Sequence, residues 1–184
     1  SHLKSWGVSE EKMVELDWWQ STSFDQVTFT STPAQHFSGR QALFNISQTL
    51  WSSWVVQSAD VSFYFSGDSG YDVHYKQIGD KFGPIDLVFM DSGQYNVRWR
   101  EVHNLPEEAV QASIDLKGRY LVPVHWGMLN LAIHNWYDPI QESVNFSKIH
   151  GVKLMTPKLG QLISLEEQTM TTDWWSNLIG EIRK

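Results

Sequence analysis

The stretch VSFYFSGDSGYDVHYKQIGDKFGPIDLVFMD, residues 61–91, places a helix-like segment between two apolar, strand-like segments. Aromatic and aliphatic residues dominate both ends of the stretch, and charged residues are spaced as in a helix between them. A strand, a helix and a strand joined by short connections are typical of a crossover unit in a mostly parallel, buried sheet. Within this unit, Asp68 lies between two glycines where the first strand ends.

The same alternation continues toward the C-terminus. A helix is predicted to open at Leu105-Pro106 and to end near Lys117-Gly118, with the glycine as its C-cap, before the strand RYLVPVHWG of residues 119–127. Residues 137–165 are predicted to form a helix and a last strand pair, and the tail TTDWWSNLIGEIRK a short amphipathic helix.

Toward the N-terminus the pattern becomes more antiparallel. Residues 26–30 alternate as in a strand, and residues 49–58 and 61–68 are predicted to form a hairpin that turns near Ala59-Asp60. We therefore expect one α/β domain over residues 1–184, with an antiparallel first third.

Composition excludes several classes of protein. The 184 residues carry 14 basic and 21 acidic side chains, a formal charge of −7, which argues against a nucleic-acid or anionic-membrane partner. The chain has no cysteine, so a metal would be held by imidazole and carboxylate groups. No apolar run approaches the roughly 18 residues of a membrane span and no leader is visible, so we expect a cytoplasmic protein.

Three metal-capable residues follow predicted strands: His36, Asp68 and His125. Ligands of open α/β sheets collect at the carboxyl ends of strands, and this mixed set suits zinc or iron. Each residue also has an ordinary alternative, since a strand-end histidine is often structural and a Gly-Asp-Ser-Gly turn can cap a helix. Metal ligation and a purely structural role both stay open on these grounds.

Longer motifs carry a resemblance to a known family. They are PAQHFSGR, FYFSGDSGYDVHYKQIGDKFGPIDLVFMDSGQYN, VHNLPEEAVQASIDL and LVPVHWGMLNLAIHNWYDPI. In order and spacing they resemble the metallo-β-lactamase superfamily, in the branch that contains the N-acyl-phosphatidylethanolamine-hydrolysing phospholipase D and its bacterial relatives. The resemblance implies an α/β fold of the αββα sandwich type, classed as α+β in some schemes.

The resemblance also implies a site with two metals, usually zinc, with manganese or iron as alternatives. His36 would then be the third imidazole of one metal site, Asp68 the bridging carboxylate and His125 a ligand of the second site. A hydroxide held between the metals would attack a phosphodiester, lactone or related ester in a small or lipid-like substrate.

Four further residues receive roles in this hypothesis. His103 matches a family histidine near the metals, for substrate contact or proton transfer, although a structural helix-entry role is equally open. Tyr95 could donate to an oxyanion, or could simply be a loop phenol packed on Trp99. Arg40 could bind a substrate phosphate or carboxylate, or form a salt bridge, and His134 is a pocket candidate for which a structural role is favoured. His74 and His150 are interpreted as surface residues.

One family motif is not found in the sequence. No two of the seven histidines are separated by a single residue, so the H-x-H-x-D-H run of the family is absent. We therefore expect the C-terminal two thirds of such a domain, incomplete at its N-terminal side, inactive by itself and with partial or no metal occupancy. Such a chain would form homo-oligomers or associate with the missing N-terminal segment. Alternatives are a non-catalytic binding or assembly module and, less favoured, an aromatic-rich sugar-binding domain.

Overall fold

The computed structural model describes residues 2–38, 49–129, 131–165 and 172–181. In these residues six strands form one mixed sheet in sequence order: β1 (Ser21–Phe24), β2 (Val27–Pro33), β3 (Ser52–Gln57), β4 (Ser62–Phe65), β5 (Ile85–Asp91) and β6 (Gly118–Val124). The helices are α1 (His2–Ser5), α2 (His74–Phe82), α3 (Pro106–Asp115), α4 (Asp138–His150) and α5 (Trp174–Glu181), with a 3₁₀ helix at Glu10–Lys12.

The strand directions agree with the sequence prediction. Strands β1 to β4 pair antiparallel, whereas β4, β5 and β6 pair parallel. The β3–β4 hairpin pairs Gln57 with Ser62 and therefore turns at the predicted Ala59-Asp60. Because two antiparallel steps separate β2 from β4, strands β2, β4, β5 and β6 all run in one direction and end at the same edge of the sheet.

Each face of the sheet carries its own apolar cluster, as the alternation of side chains along a strand requires. Val88 and Leu121 belong to the larger cluster, which joins the sheet to helices α2 and α3. Their neighbours Leu87 and Tyr120 belong to the smaller cluster on the other face, with Met155 from the segment after α4. The buried character of β5 and β6 on both faces explains their almost continuous apolar sequence.

Helices α2 and α3 lie in close contact at Gly79. A Cβ atom on Gly79 would lie 2.0 Å from the carbonyl oxygen of Asp115 at the end of α3. Helix α3 starts with Pro106, and the Glu108 carboxylate accepts a hydrogen bond from the Leu105 amide at 2.9 Å. This contact fixes the start of α3, and with it the loop that carries His103.

Three details of the prediction were wrong. The segment after α4 forms no strand pair in the described residues, where its pairing with the sheet is limited to an isolated parallel bridge between Leu121 and Leu154. Gly118 is the first residue of β6 and not a helix cap, because Lys117 takes the left-handed conformation at a φ of 56°. His74 is buried beside Tyr75, whereas His150 is exposed as expected.

Helix length bears on the membrane question. The longest described helix, α4, has 13 residues. In the described part of the chain, no helix combines the length and the apolar character that a membrane crossing requires.

Candidate metal centre

Metal-capable residues come in the sequence just after strands that end at the common edge of the sheet. His36 comes shortly after β2, Asp68 shortly after β4, and His125 directly after β6. The structure brings these regions together, since Asp68 Oδ1 lies 3.7 Å from His125 Nε2. The positive φ of His125, 66°, turns the backbone immediately after β6.

His36 belongs to a trio with Asp68 and His103. Each of these residues offers a ligand atom, and the three atoms all lie within 4.8 Å of one another. The imidazole of His36 meets that of His103 edge-on, with 5.6 Å between the ring centroids. His103, predicted to contact substrate, therefore lies among the predicted metal ligands.

A second trio shares His103 and consists of Asp91, His103 and His125, again with ligand atoms within 4.8 Å of one another. The rings of His103 and His125 have their centroids 5.4 Å apart. Five donor residues thus surround one region, with His103 common to both trios.

Asp91 was not selected from the sequence, although the signal that identified the other residues was present. It is the last residue of β5, the strand between those that precede Asp68 and His125. Its carboxylate is fully buried and accepts hydrogen bonds from His103 Nδ1 at 2.8 Å, the Ser69 amide at 3.3 Å and the Gly93 amide at 3.4 Å. An aspartate at this strand end is therefore tied to the site by its side chain.

The contact with Asp91 alters the acidity of His103. Burial lowers the pKa of the imidazole, but the hydrogen bond to Asp91 and the charges of Asp91 and Asp68 outweigh it, so the net pKa lies above its usual value. The protonated imidazole is thereby stabilised in the metal-free protein.

The hydrogen bonds made by the His36 and His103 rings leave one nitrogen of each ring available to bind a metal. His36 Nδ1 bonds the carbonyl oxygen of Phe37 at 2.8 Å, and His103 Nδ1 bonds the Asp91 carboxylate. Because both partners accept, each Nδ1 carries the hydrogen and the lone pair of the neutral ring lies on Nε2. A metal-ligating histidine usually has this outer partner. Imidazole nitrogens and carboxylate oxygens together fit zinc, manganese or iron.

Exposure changes across the cluster. The Asp68 side chain is 49% exposed and that of His125 33%, whereas that of His103 is 15% exposed. The region therefore opens to solvent on the side of Asp68 and is closed at Asp91.

Tyr95 and His134 form a separate group. The Tyr95 hydroxyl donates to Glu142 Oε2 at 3.0 Å, and its ring stacks on His134 at 4.5 Å rather than on Trp99. Burial and the nearby Glu142 carboxylate raise the pKa of Tyr95. Its hydroxyl is thus directed to α4 and not toward an oxyanion at the metal-capable cluster. Arg40 lies outside the described residues.

A cavity of about 520 Å³ adjoins the cluster at His125. Apolar side chains provide most of its wall, among them Phe89, Trp126 and Trp174, and Lys158 adds a cation. An apolar part of a ligand would fit beside the donor residues.

Comparison with known proteins places these features in context. Residues 1–126 match the family model described as the beta-lactamase superfamily domain. An uncharacterised protein of Mycobacterium tuberculosis is 39% identical over 178 residues, which cover 95% of this chain and 47% of that protein. The N-acyl-phosphatidylethanolamine-hydrolyzing phospholipase D 1 of Caenorhabditis elegans is 34% identical over 175 residues, 87% of this chain and 49% of the enzyme.

The chain therefore spans about half the length of these two relatives. Among solved structures, Igni18, a metallo hydrolase of the archaeon Ignicoccus hospitalis, superposes with a TM-score of 0.67 over 88% of this chain and 63% of its own. At 17% sequence identity, this similarity establishes a shared fold.

Proposed function

Since the chain belongs to the β-lactamase superfamily, in the branch of the N-acyl-phosphatidylethanolamine-hydrolysing phospholipases D, we propose that it takes part in metal-dependent hydrolysis of a phosphodiester, a lactone or a related ester. The observation that carries the proposal is the convergence of imidazole and carboxylate donors from separate strand ends around His103. Such a mixed set, open to solvent on one side, suits a catalytic rather than a closed structural metal site.

The predicted ligands are His36, Asp68 and His125, and Asp91 joins them as the partner of His103. Zinc is the metal we propose, with manganese or iron as alternatives. When bound, a divalent ion lowers the pKa of a water ligand and polarises the substrate's carbonyl or phosphoryl oxygen.

His103 has a proton-transfer role in this proposal. Its Nδ1 is held by the Asp91 carboxylate, which fixes the ring and in this role leaves Nε2 for the substrate. In this role the protonated ring, whose positive charge the Asp91 carboxylate stabilises, carries a hydrogen on Nε2 that can protonate the oxygen of a leaving group. Asp91 orients the imidazole and is not itself a proton donor here.

The cavity beside His125 indicates the kind of substrate. Its largely apolar wall would hold an alkyl, acyl or aromatic group, while the ester group lies at the donor residues. Lys158 would attract a negative charge on such a substrate.

The first experiment measures Zn²⁺ binding to the metal-free chain by calorimetry. We expect Asp68→Asn and His125→Ala to weaken binding by at least about tenfold, the loss seen when even an outer partner of a metal site is removed. The matched control is His150→Ala, which removes an exposed imidazole at the end of α4 and should leave the affinity unchanged. Equal affinities in all four proteins would refute the metal centre.

The second experiment tests hydrolysis with chromogenic phosphodiester, lactone and carboxylic ester substrates in the presence of Zn²⁺ or Mn²⁺. Turnover that Asp68→Asn abolishes and His150→Ala retains would support a hydrolase and would contradict the prediction that this chain is inactive by itself. Zn²⁺ binding without any turnover would agree with the prediction that this chain is inactive by itself, and it is also the result expected of the alternative, a binding or assembly module.

A further inference from the structure

The segment that follows His125 is held in an unusual way. His125 adopts a left-handed backbone conformation, with a φ of 66°, that residues other than glycine rarely take. Such a conformation persists where the surrounding structure enforces it. The contacts of this turn therefore determine where the His125 imidazole lies.

Gly93 lies directly against the backbone of His125. A Cβ atom on Gly93 would be 1.5 Å from the carbonyl oxygen of His125 and 2.1 Å from its carbonyl carbon. The preceding residue, Ser92, donates its amide hydrogen to Val124 O at 3.2 Å, which continues the pairing of β5 and β6 to this point. Glycine thus permits the close approach of two chain segments at His125.

Gln94 holds the rest of the turn through its side-chain amide. Nε2 donates to Leu129 O at 2.8 Å and lies 3.4 Å from His125 O, while Oε1 accepts from the amides of Leu131 at 3.1 Å and Ala132 at 3.0 Å. Both hydrogens and both lone pairs of the amide are therefore used. Gln94 is itself fixed, since Trp99 Nε1 donates a hydrogen bond to the main-chain carbonyl oxygen of Gln94 at 2.8 Å.

Apolar packing holds the two ends of this segment, where Trp126 packs on Trp174 and Trp175 and Ala132 is buried, but not its middle. The side chains of Met128, Leu129 and Leu131 are largely exposed, so their burial does not hold the turn in place. Hydrogen bonds to the buried side-chain amide of Gln94 connect this middle part to the stretch that follows β5.

We propose that Gln94 is a positioning residue for His125: by bonding backbone atoms of His125, Leu129, Leu131 and Ala132, it sets the affinity of the candidate metal centre. This inference rests on the metal site of the proposed function. Glutamine suits the position because glutamate lacks the donor, methionine lacks the donor and offers only a weak sulfur acceptor, and asparagine is too short to reach both Leu129 and Ala132.

The test uses Gln94→Met, which keeps the length of the side chain, and Gln94→Asn as a second variant that keeps the amide should the first fail to fold. The matched control is Gln111→Met, because Gln111 on α3 makes one side-chain hydrogen bond, to Asp115 at 3.0 Å, away from the site. Each protein is examined for amide hydrogen exchange without metal and for Zn²⁺ affinity by calorimetry.

We expect the Leu131 and Ala132 amides to exchange roughly tenfold faster in both Gln94 variants, because each loses its acceptor. Zn²⁺ affinity should fall by about 10–100-fold, as for other outer partners of metal sites. Gln111→Met should change neither quantity. Unchanged exchange, or faster exchange with unchanged Zn²⁺ affinity, would overturn the proposal.

The two levels of the hypothesis fail in different ways. If the wild-type chain binds no Zn²⁺, the metal centre is refuted and Gln94 cannot set its affinity. If the wild type binds Zn²⁺ and the Gln94 variants bind it equally well, the proposed function stands and the positioning role is wrong.

Discussion

Two buried tyrosines offer a paired test of the core beneath the candidate site. Tyr64 on β4 and Tyr75 on α2 are both fully buried, and their rings meet edge-on. The Tyr75 hydroxyl accepts a hydrogen bond from Asn104 Nδ2 at 2.9 Å, whereas the Tyr64 hydroxyl has the Ser53 hydroxyl as a neighbour but makes no well-formed hydrogen bond among the described residues, since Ser53 donates to Pro33 O. The same change to phenylalanine should therefore have opposite effects at the two positions.

The magnitudes follow from these contacts. Tyr75→Phe removes the hydrogen bond from Asn104 Nδ2 and leaves one hydrogen of that fully buried amide with only the weak acceptor Met90 Sδ, at 3.4 Å, so unfolding should become easier by about 1–2 kcal/mol. Asn104 Nδ2 retains Asp91 O at 3.2 Å, which limits the loss. Tyr64→Phe removes a buried hydroxyl that lacks a well-formed hydrogen bond and should leave stability unchanged or raise it by up to about 1 kcal/mol.

Thermal unfolding followed by circular dichroism distinguishes the two variants. A difference of about 2 kcal/mol corresponds to melting temperatures roughly 4–8 °C apart for a chain of this size. The melting temperature of Tyr75→Phe should be the lower of the two. This change should also shift the position of His103, because Asn104, the partner of the Tyr75 hydroxyl, follows His103 in the sequence. Equal losses in both variants, or a loss above about 1 kcal/mol for Tyr64→Phe, would refute the hydrogen-bond argument.

Three further predictions concern other positions. Burial lowers the pKa of His74 to about 4, so its protonation favours the unfolded chain. Between pH 6.5 and 5 the wild type should therefore lose about 1.6 kcal/mol that His74→Phe does not lose, as measured by urea unfolding at both pH values. Gly79→Ala places a Cβ 2.0 Å from Asp115 O and should cost at least about 2 kcal/mol in the same assay; a smaller loss would mean that α2 and α3 separate easily. Lys117→Gly removes the strain of a non-glycine residue in the left-handed conformation but also removes the exposed ion pair with Asp80. The free energy of unfolding should therefore rise by up to about 1 kcal/mol, and a fall would contradict the strain at Lys117.

Strand ends could be predicted from the sequence because local patterns determine them. Apolar runs, glycines and prolines identify β4, β5 and β6, and parallel strands then bring the residues after them to one edge. This reasoning placed Asp68 and His125 in the same region, where the structure has them 3.7 Å apart. Their role as metal ligands remains a prediction.

Other features depend on contacts between residues that are distant in the sequence, so no local sequence pattern predicts them. His74 lies on the helix surface that packs inward, but one polar residue in a nine-residue helix does not indicate its own burial. Gln94 is followed by ordinary loop residues, and the partners of its side chain lie 31 to 38 positions away. Lys117 takes the left-handed conformation, which glycine adopts more easily, although a glycine follows it directly. Gly118 is needed at its own position, because Val88 and Ser113 leave no room there for a side chain.

The four residues from Asp91 to Gln94 connect these observations. Asp91 ends β5 and holds the imidazole of His103, while Ser92 extends the pairing with β6 as far as Val124. Gly93 then lets the chain approach the backbone of His125, and Gln94 bonds the segment beyond it. One short stretch after a central strand thus positions both imidazoles of the second trio, one through its side chain and the other through its backbone. Because the two histidines have this common support, a displacement of the Asp91–Gln94 stretch would move both of them, whereas His36, on the loop after β2, would keep its own connection to the sheet.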